Sequence, residues 1–156
     1  MKLKAYRTIL NGNGYPCLVA ERGDYICDGR KRFDSPDAIY EFAVRELEMN
    51  RLAEEYVYCF ALNQKCHMMG VFEVSHGTVS TSIASPREIF QKLLMLGAVQ
   101  FILVHNHPSG DATPSQMDFD LTQRLEVCGN LLDVHLVDHV IIGDGNYYSM
   151  KGEENV

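Results

Sequence analysis

The sequence predicts a single α/β domain with a central mixed β-sheet flanked by helices. Three strand-length apolar runs support this prediction, at residues 56–62, 99–104 and 134–137. Between and before them lie segments that begin like capped helices, for example at Ser85 and Thr113. Strands that alternate with helices around one core are typical of this class. The chain has 156 residues and is 46% hydrophobic, which is enough for one such core.

The first part of the chain predicts a hairpin followed by a helix. Residues 2–9 alternate in polarity, residues 11–14 (Asn-Gly-Asn-Gly) form a strong turn signal, and residues 15–20 resume an apolar run. Ser35 and Pro36 fit the N-cap and first position of a helix. Its apolar stripe contains Ile39, Phe42, Ala43, Leu47 and Met49. We predict that residues 1–50 form a hairpin-plus-helix appendage to a second unit, residues 51–156.

In the middle of the chain, the sequence predicts two strands, a third short strand and a helix. The strands cover residues 56–62 and 67–74, with a polar turn at residues 63–65, and the short strand covers residues 79–83. Ser85 to Glu88 read as a capping box that opens a helix ending near Gly97. Its inward positions are Ile89, Phe90, Leu93, Leu94 and Leu96.

The remaining elements follow a strand at residues 99–104. Thr113 fits an N-cap, with proline at the next position and Gln116 three residues after the cap, and the helix should end near Gly129. Strands are predicted at residues 134–137, 140–142 and 147–149, and the last two flank a glycine-rich turn.

The end of the strand at residues 99–104 carries a candidate metal site. His105 and His107 are two residues apart, so a strand presents both imidazoles on one side. Neutral imidazoles suit zinc, and two of them leave room for a carboxylate and a water. Ser115 and Asp118 lie one helical turn apart and can supply that carboxylate. The complete spacing is H-x-H-x7-S-x2-D, which is long enough to be specific.

Other sites that contain an H-x-H pair fit less well. A metallo-β-lactamase site needs an aspartate where Ser109 stands. An amidohydrolase barrel needs a much longer chain, and the HNH nuclease motif describes three separated residues. Without Ser115 and Asp118, two histidines in a turn would be an ordinary structural feature.

The string HNHPSGDATPSQMD resembles the metal-site motif of the JAMM (MPN) metalloprotease family, and in particular its bacterial RadC-like branch. Residues 86–88 (Pro-Arg-Glu) and residues 138–143 (Asp-His-Val-Ile-Ile-Gly) also resemble that branch, so the similarity extends from about Tyr56 to Met150. The resemblance implies a three-layer JAB1/MPN-like fold, related in architecture to cytidine deaminases, with residues 51–156 as the RadC-like JAB domain.

The resemblance also implies a reaction and roles for residues. One zinc ion per chain would be held by His105, His107 and Asp118, and a metal-activated water would cleave a peptide or isopeptide bond of a peptide or protein substrate. Glu73 would be the general base, with Glu54 and Glu55 as alternatives, and Ser115 would stabilise the oxyanion. Asp138 and His139 would support the site from behind the ligands, or form a structural turn.

Composition limits the other functions. Five cysteines without a C-x-x-C pair predict reduced thiols and a cytoplasmic location, and the N-terminus has no apolar leader segment, so no membrane association is expected. The net charge of −7 disfavours nucleic-acid binding, and the one basic cluster, residues 30–32, reads as a solvated loop. A DNA-repair accessory protein and a non-catalytic MPN-type scaffold are the alternatives, and a homo-oligomer is compatible with the sequence.

Overall fold

The computed structural model describes residues 2–77 and 85–152. The predicted short strand at residues 79–83 lies outside these ranges. Within them the chain forms seven strands and three α-helices, in the order β1 (Lys2–Leu10), β2 (Pro16–Ile26), α1 (Pro36–Leu47), β3 (Glu55–Leu62), β4 (Met68–Gly77), α2 (Pro86–Leu96), β5 (Gln100–Asn106), α3 (Gln116–Leu132), β6 (His135–Ile142) and β7 (Tyr147–Ser149).

All seven strands join one mixed sheet in the order β2-β1-β4-β3-β5-β6-β7. The β1–β4 and β5–β6 pairs are parallel and the other pairs are antiparallel. Helix α1 packs on one face of the sheet, and α2 and α3 pack on the other. Both faces of β3 and β5 are therefore buried, which explains their nearly continuous apolar sequences. The predicted α/β class with a central mixed sheet is confirmed.

The N-terminal residues contribute directly to this sheet and to its α1-side core. Strands β1 and β2 form the predicted antiparallel hairpin, and β1 also pairs with β4. The Ser35 side chain caps α1 by accepting a hydrogen bond from the Ala38 amide. Phe42 of α1 makes edge-to-face contact with Phe60 of β3. The division of the chain near residue 50 stays a prediction.

The helices on the other face depart from prediction at their ends. Helix α2 begins at Pro86 as expected, but the Ser85 side chain makes no capping hydrogen bond. Leu94, which was predicted to point inward, is 52% exposed. Helix α3 begins at Gln116 with Ser115 as N-cap, two residues later than predicted. Thr113 is instead held in a turn, because its amide and hydroxyl both bond to the Asp111 carboxylate.

Strand β6 is a single strand with a β-bulge, where two shorter strands were predicted. Leu136 pairs with Phe101 and Asp138 with Ile102, so Val137 is the extra residue. The bulge shifts the alternation by one position. His139 consequently pairs with Leu103 and shares its face of the sheet, the face covered by α2 and α3. Asp138 and His139 therefore lie within a strand and do not form a turn.

Among the described residues, none of the helices combines the length and the apolar character that crossing a membrane requires.

Candidate metal centre

Strand β5 and the turn after it bring two imidazoles together. The Nε2 atoms of His105 and His107 are 3.0 Å apart. His105 is buried as the sixth residue of β5, while His107 is partly exposed just beyond the strand. The His107 amide bonds to the Ile142 carbonyl, which continues the pairing with β6 for one more residue. Pairing at the C-terminal end of β5 therefore fixes the backbone of both histidines.

The first turn of α3 adds a buried carboxylate. Asp118 Oδ1 lies 3.2 Å from His105 Nε2, and Asp118 Oδ2 lies 3.6 Å from His107 Nε2. Burial raises the pKa of the Asp118 carboxyl, but hydrogen bonds with His105, His107 and Ser115 outweigh it and hold the pKa well below its ordinary value. The hydrogen bond with Asp118 in turn raises the pKa of His107. Asp118 is thus anionic at neutral pH.

These three side chains have the spacing of a metal ligand set. Ligand atoms about 2.0–2.1 Å from a tetrahedral ion lie about 3.3 Å from one another. The two imidazole nitrogens and the carboxylate oxygens are separated by 3.0, 3.2 and 3.6 Å. Such a cluster therefore matches the dimensions of a site for one ion.

The hydrogen bond at the other ring nitrogen of His107 supports this interpretation. His107 Nδ1 is 2.8 Å from the Asp111 carbonyl oxygen. A carbonyl only accepts, so Nδ1 carries the proton and, in the neutral ring, Nε2 keeps its lone pair. The lone pair points at Asp118 and His105, where a cation would sit.

A second acidic side chain, Glu55, approaches the histidines from β3. One ligand atom each of Glu55, His105 and His107 lies within 4.8 Å of the others, and this group could hold a metal ion. Glu55 is only 8% exposed. As the first residue of β3 it shares a face with Val57, which pairs with His105.

The chain matches the family model for the RadC-like JAB domain over residues 33–155. The chain belongs to this family. Curated relatives are 42% identical over 104 residues in Clostridium beijerinckii, 40% over 119 residues in Geotalea uraniireducens, and 43% over 104 residues in Bacillus subtilis. These alignments cover 67%, 76% and 67% of this chain and 45%, 51% and 45% of the relatives. The chain therefore spans about half the length of the relatives it matches, and all three are named "UPF0758 protein", a name that states no reaction.

In this RadC-like JAB domain, Glu73 does not lie with the histidines, contrary to the role predicted for it. Glu73 pairs with Tyr58, and Tyr58 pairs with Val104 on the α1 side of the sheet. Because neighbouring residues of a strand point to opposite faces, His105 lies on the other side. The Glu73 side chain is 41% exposed and bonds to His76. Glu55 therefore replaces Glu73 as the acidic residue beside the candidate metal centre.

The local sequence alone could not have distinguished the two glutamates. Glu73 stands between two apolar residues and Glu55 follows Glu54 at the start of β3, but the decisive information is the register between β3, β4 and β5. The alternation of Glu55 with Val57 and Cys59, whose side chains are buried on the α2/α3 side, is the one sequence signal that was present.

Asn106 also supports this site, and no motif in the sequence pointed to it. It lies between His105 and His107 in the sequence, and its buried side chain bonds to backbone groups at the start of β3. The Oδ1 atom accepts from the Tyr56 amide at 2.8 Å, and Nδ2 donates to the Glu54 carbonyl at 2.9 Å. The amide thus holds the backbone on both sides of Glu55, and it positions that carboxylate relative to the histidines.

The other predicted site residues lie around this centre in different ways. Ser115 is exposed, and its hydroxyl and amide both donate to Asp118 Oδ2, at 2.6 and 2.7 Å. His139 is fully buried and its Nε2 is 2.8 Å from His105 Nδ1. Burial lowers the pKa of His139 well below its ordinary value, so its ring is neutral. Asp138 points away and bonds to Ser149.

Proposed function

We propose that this RadC-like JAB domain is a zinc-dependent hydrolase that cleaves an amide bond of the peptide or isopeptide type. The supporting observation is the cluster of buried His105, partly exposed His107 and buried Asp118 next to the separate carboxylate of Glu55. Three ligands with one further coordination position are typical of catalytic zinc, whereas structural zinc is held by four protein ligands.

His105, His107 and Asp118 would hold the ion. Zinc bound in this way acts as a Lewis acid and lowers the pKa of a bound water from about 15.7 to about 7. The roles of the protein follow from where its side chains lie. Glu55, next to both histidines but anchored on a different strand, would accept a proton from the attacking water and deliver it to the leaving amine.

Ser115 would stabilise the negative charge that develops on the substrate oxygen. Its side chain is exposed at the start of α3, close to the candidate metal position, and its hydroxyl now donates to Asp118. A rotation about one bond would aim the same donor at a substrate oxygen. Asp118 would keep its hydrogen bond from the Ser115 amide during that change.

Two measurements on the full chain test the proposal. Protein stripped with a chelator and reconstituted with zinc should retain about one equivalent in the wild type, in Glu55→Gln and in Glu73→Gln. Asp118→Asn should lose zinc, because it removes the charge of the ligand set. Turnover of ubiquitin-like fusions or peptide amides should fall by about 10²–10⁴ in Glu55→Gln.

Glu73→Gln is the matched control, because it makes the same substitution on the opposite face of the sheet. Its turnover should equal that of the wild type. Wild-type protein without zinc, or Glu55→Gln protein with full zinc and full turnover, would contradict the proposal.

A further inference from the structure

A chain of hydrogen bonds connects His105 to the backbone of α3 through two residues that have no part in the proposed reaction. His105 Nδ1 lies 2.8 Å from His139 Nε2, and His139 Nδ1 lies 2.6 Å from the Thr122 hydroxyl. The same hydroxyl is 2.7 Å from the carbonyl oxygen of Asp118. His139 is 0% exposed and Thr122 is 7% exposed, so water does not compete for these contacts.

The last contact determines the direction of all the others. The Asp118 carbonyl can only accept, so the single Thr122 proton points toward it. The Thr122 oxygen is then left as an acceptor, and the His139 Nδ1 atom must be the donor. A neutral imidazole that is protonated at Nδ1 has a lone pair at Nε2. His139 Nε2 therefore accepts the proton of His105 Nδ1.

We infer that Thr122 and His139 are positioning residues of the metal centre, which hold His105 in the Nδ1-protonated tautomer. In that tautomer His105 Nε2 presents its lone pair to the space shared with His107 and Asp118. The inference rests on the proposed metal site, and it explains why two buried polar residues are placed behind it. Hydrogen bonds of this kind fix both the tautomer and the orientation of a ligand ring.

The fold supplies both residues by specific local features. The β-bulge at Val137 places His139 on the face of the sheet where His105 lies. Thr122 is one helical turn after Asp118 on α3, so its hydroxyl reaches the carbonyl four residues earlier. The ligand Asp118 and the ligand His105 are thereby linked through the interior of the protein as well as through the ion.

Removing the Thr122 hydroxyl reverses the preference. In Thr122→Val the His139 Nδ1 proton would be buried without an acceptor, which is costly. His139 would then favour the tautomer with its proton on Nε2, which faces His105 Nδ1. His105 would have to accept there and carry its own proton on Nε2, where the metal would bind. Zinc affinity should fall about 10–100-fold.

The first experiment reads the tautomers directly. Nitrogen-15 NMR of the metal-free protein should show His139 protonated at Nδ1 in the wild type and in Thr122→Ser. His139 should carry its proton on Nε2 in Thr122→Val. His139 protonated at Nδ1 in Thr122→Val would overturn the inference.

The second experiment measures zinc affinity by competition with a chromogenic chelator. Thr122→Ser should bind zinc within about threefold of the wild type, and Thr122→Val about 10–100-fold more weakly. The control is Thr8→Val, since the Thr8 hydroxyl is buried without a hydrogen-bond partner in the part of the chain that the structure describes. Equal affinity of Thr122→Val and wild type, or equal losses in Thr122→Ser and Thr122→Val, would contradict the inference.

A second pair of variants guards against misfolding of Thr122→Val. His139→Gln places an amide oxygen toward His105 and an amide N–H toward Thr122, so it should preserve zinc binding better than His139→Leu. Equal affinity of these two variants would contradict the inference. Wild-type protein with the expected tautomers but no zinc affinity would refute the proposed function and leave the hydrogen-bond assignment in place.

Discussion

Asp118 serves a helix and a candidate metal centre at the same time. Its Oδ2 atom accepts from the Ser115 amide while its own amide donates to the Ser115 hydroxyl oxygen, and this reciprocal contact caps α3. Its Oδ1 atom faces His105. The capping bonds hold the carboxylate in place before any ion arrives, which lowers the ordering cost of binding. The ligand and the helix terminus are therefore one structural unit.

Asn106 supports the site through its side-chain amide, which bonds to backbone groups on either side of Glu55. Asn106→Ala would leave the Tyr56 amide and the Glu54 carbonyl without their partner, and each of these part-buried hydrogen bonds contributes about 0.5–1.5 kcal/mol. We expect the free energy of unfolding, measured in urea, to fall by about 1–3 kcal/mol, the sum of the two. The control is Asn11→Ala, whose side chain also accepts two amide hydrogen bonds but lies in an exposed turn.

Asn11→Ala should cost less than about 1 kcal/mol. Equal costs for the two substitutions would mean that the Asn106 amide does not hold β3 in solution.

Asp138 gives a prediction for pH dependence. Burial raises the pKa of its carboxyl, although hydrogen bonds from Ser149 and from the amides of Lys151 and His139 lower it in part. A carboxyl with a raised pKa in the folded state stabilises the protein below its unfolded pKa. This contribution is lost as pH rises through the folded pKa. Wild-type protein should therefore lose stability relative to Asp138→Asn as the pH rises above about 4, the ordinary pKa of an aspartate carboxyl.

Urea unfolding of both proteins at several pH values measures this difference. Asp138→Ala, which removes every acceptor, should be less stable than the wild type throughout. A difference between wild type and Asp138→Asn that is independent of pH would show that Asp138 is not buried as the structure has it.

The predictability of these residues from sequence depended on how far apart in the chain their partners lie. His105, His107, Ser115 and Asp118 lie within one short stretch, so their spacing alone predicted that they come together. Glu55 is placed beside them by strand register, and the spacing of residues along the chain does not contain register. Glu73 was predicted from the family resemblance, and the structure puts it on the opposite face.

At the scale of elements, caps and apolar runs predicted where helices and strands occur better than where they begin and end. Helix α3 begins at Gln116 because the Ser115 side chain forms a reciprocal pair with Asp118, whereas Thr113, the predicted cap, bonds to Asp111. The bulge in β6 has no sequence signature, because it depends on how β6 aligns with β5. The start of α3 lies at the candidate metal centre, and the bulge determines that His139 lies on the same face of the sheet as His105.

Gly129 gives an element-scale prediction. It was expected to end α3, but the helix continues to Leu132. An added Cβ at Gly129 would lie 2.4 Å from the Val134 carbonyl oxygen, so the helix and the chain that follows it would have to separate. Gly129→Ala should destabilise the protein by about 1–3 kcal/mol, although alanine favours helices by about 1 kcal/mol.

Thermal unfolding measures the effect, and Gly12→Ala is the control, since a Cβ there meets nothing within 4 Å. A Gly129→Ala protein as stable as the wild type would show that α3 and the residue before β6, Val134, are not packed closely at this point.

At the scale of the whole molecule, the alternation of apolar runs with capped helices predicted the fold class but not the topology. The order β2-β1-β4-β3-β5-β6-β7 places the first strand beside the fourth, and only long-range pairing produces this order. The hairpin and α1 consequently complete the sheet and the core on the face opposite the metal centre. The hairpin and α1, which no sequence motif linked to the metal centre, thus support the strands on which its ligands lie.

Charge is the other whole-molecule property with a testable consequence. The chain has a net charge of −7, and its one basic cluster is Arg30, Lys31 and Arg32. Each of these three side chains has an acidic partner in the structure, namely Asp28 at 3.9 Å, Glu41 at 2.8 Å and Asp34 at 2.8 Å, respectively. The positive charge that could meet a phosphate backbone is therefore already compensated.

We predict that the chain binds duplex DNA weakly and without sequence preference. The dissociation constant at physiological salt should be no tighter than about 10⁻⁶ M, the tight end of the ordinary range for non-specific binding. Because each phosphate contact contributes about −0.9 to the slope of log K against log salt, three basic residues allow at most about −2.7. Fluorescence anisotropy with a labelled duplex measures both quantities, and the variant with Arg30, Lys31 and Arg32 all changed to Ala should lose the residual slope. A much tighter constant, or a steeper slope that survives the triple substitution, would reveal a nucleic-acid surface that the charge distribution does not predict.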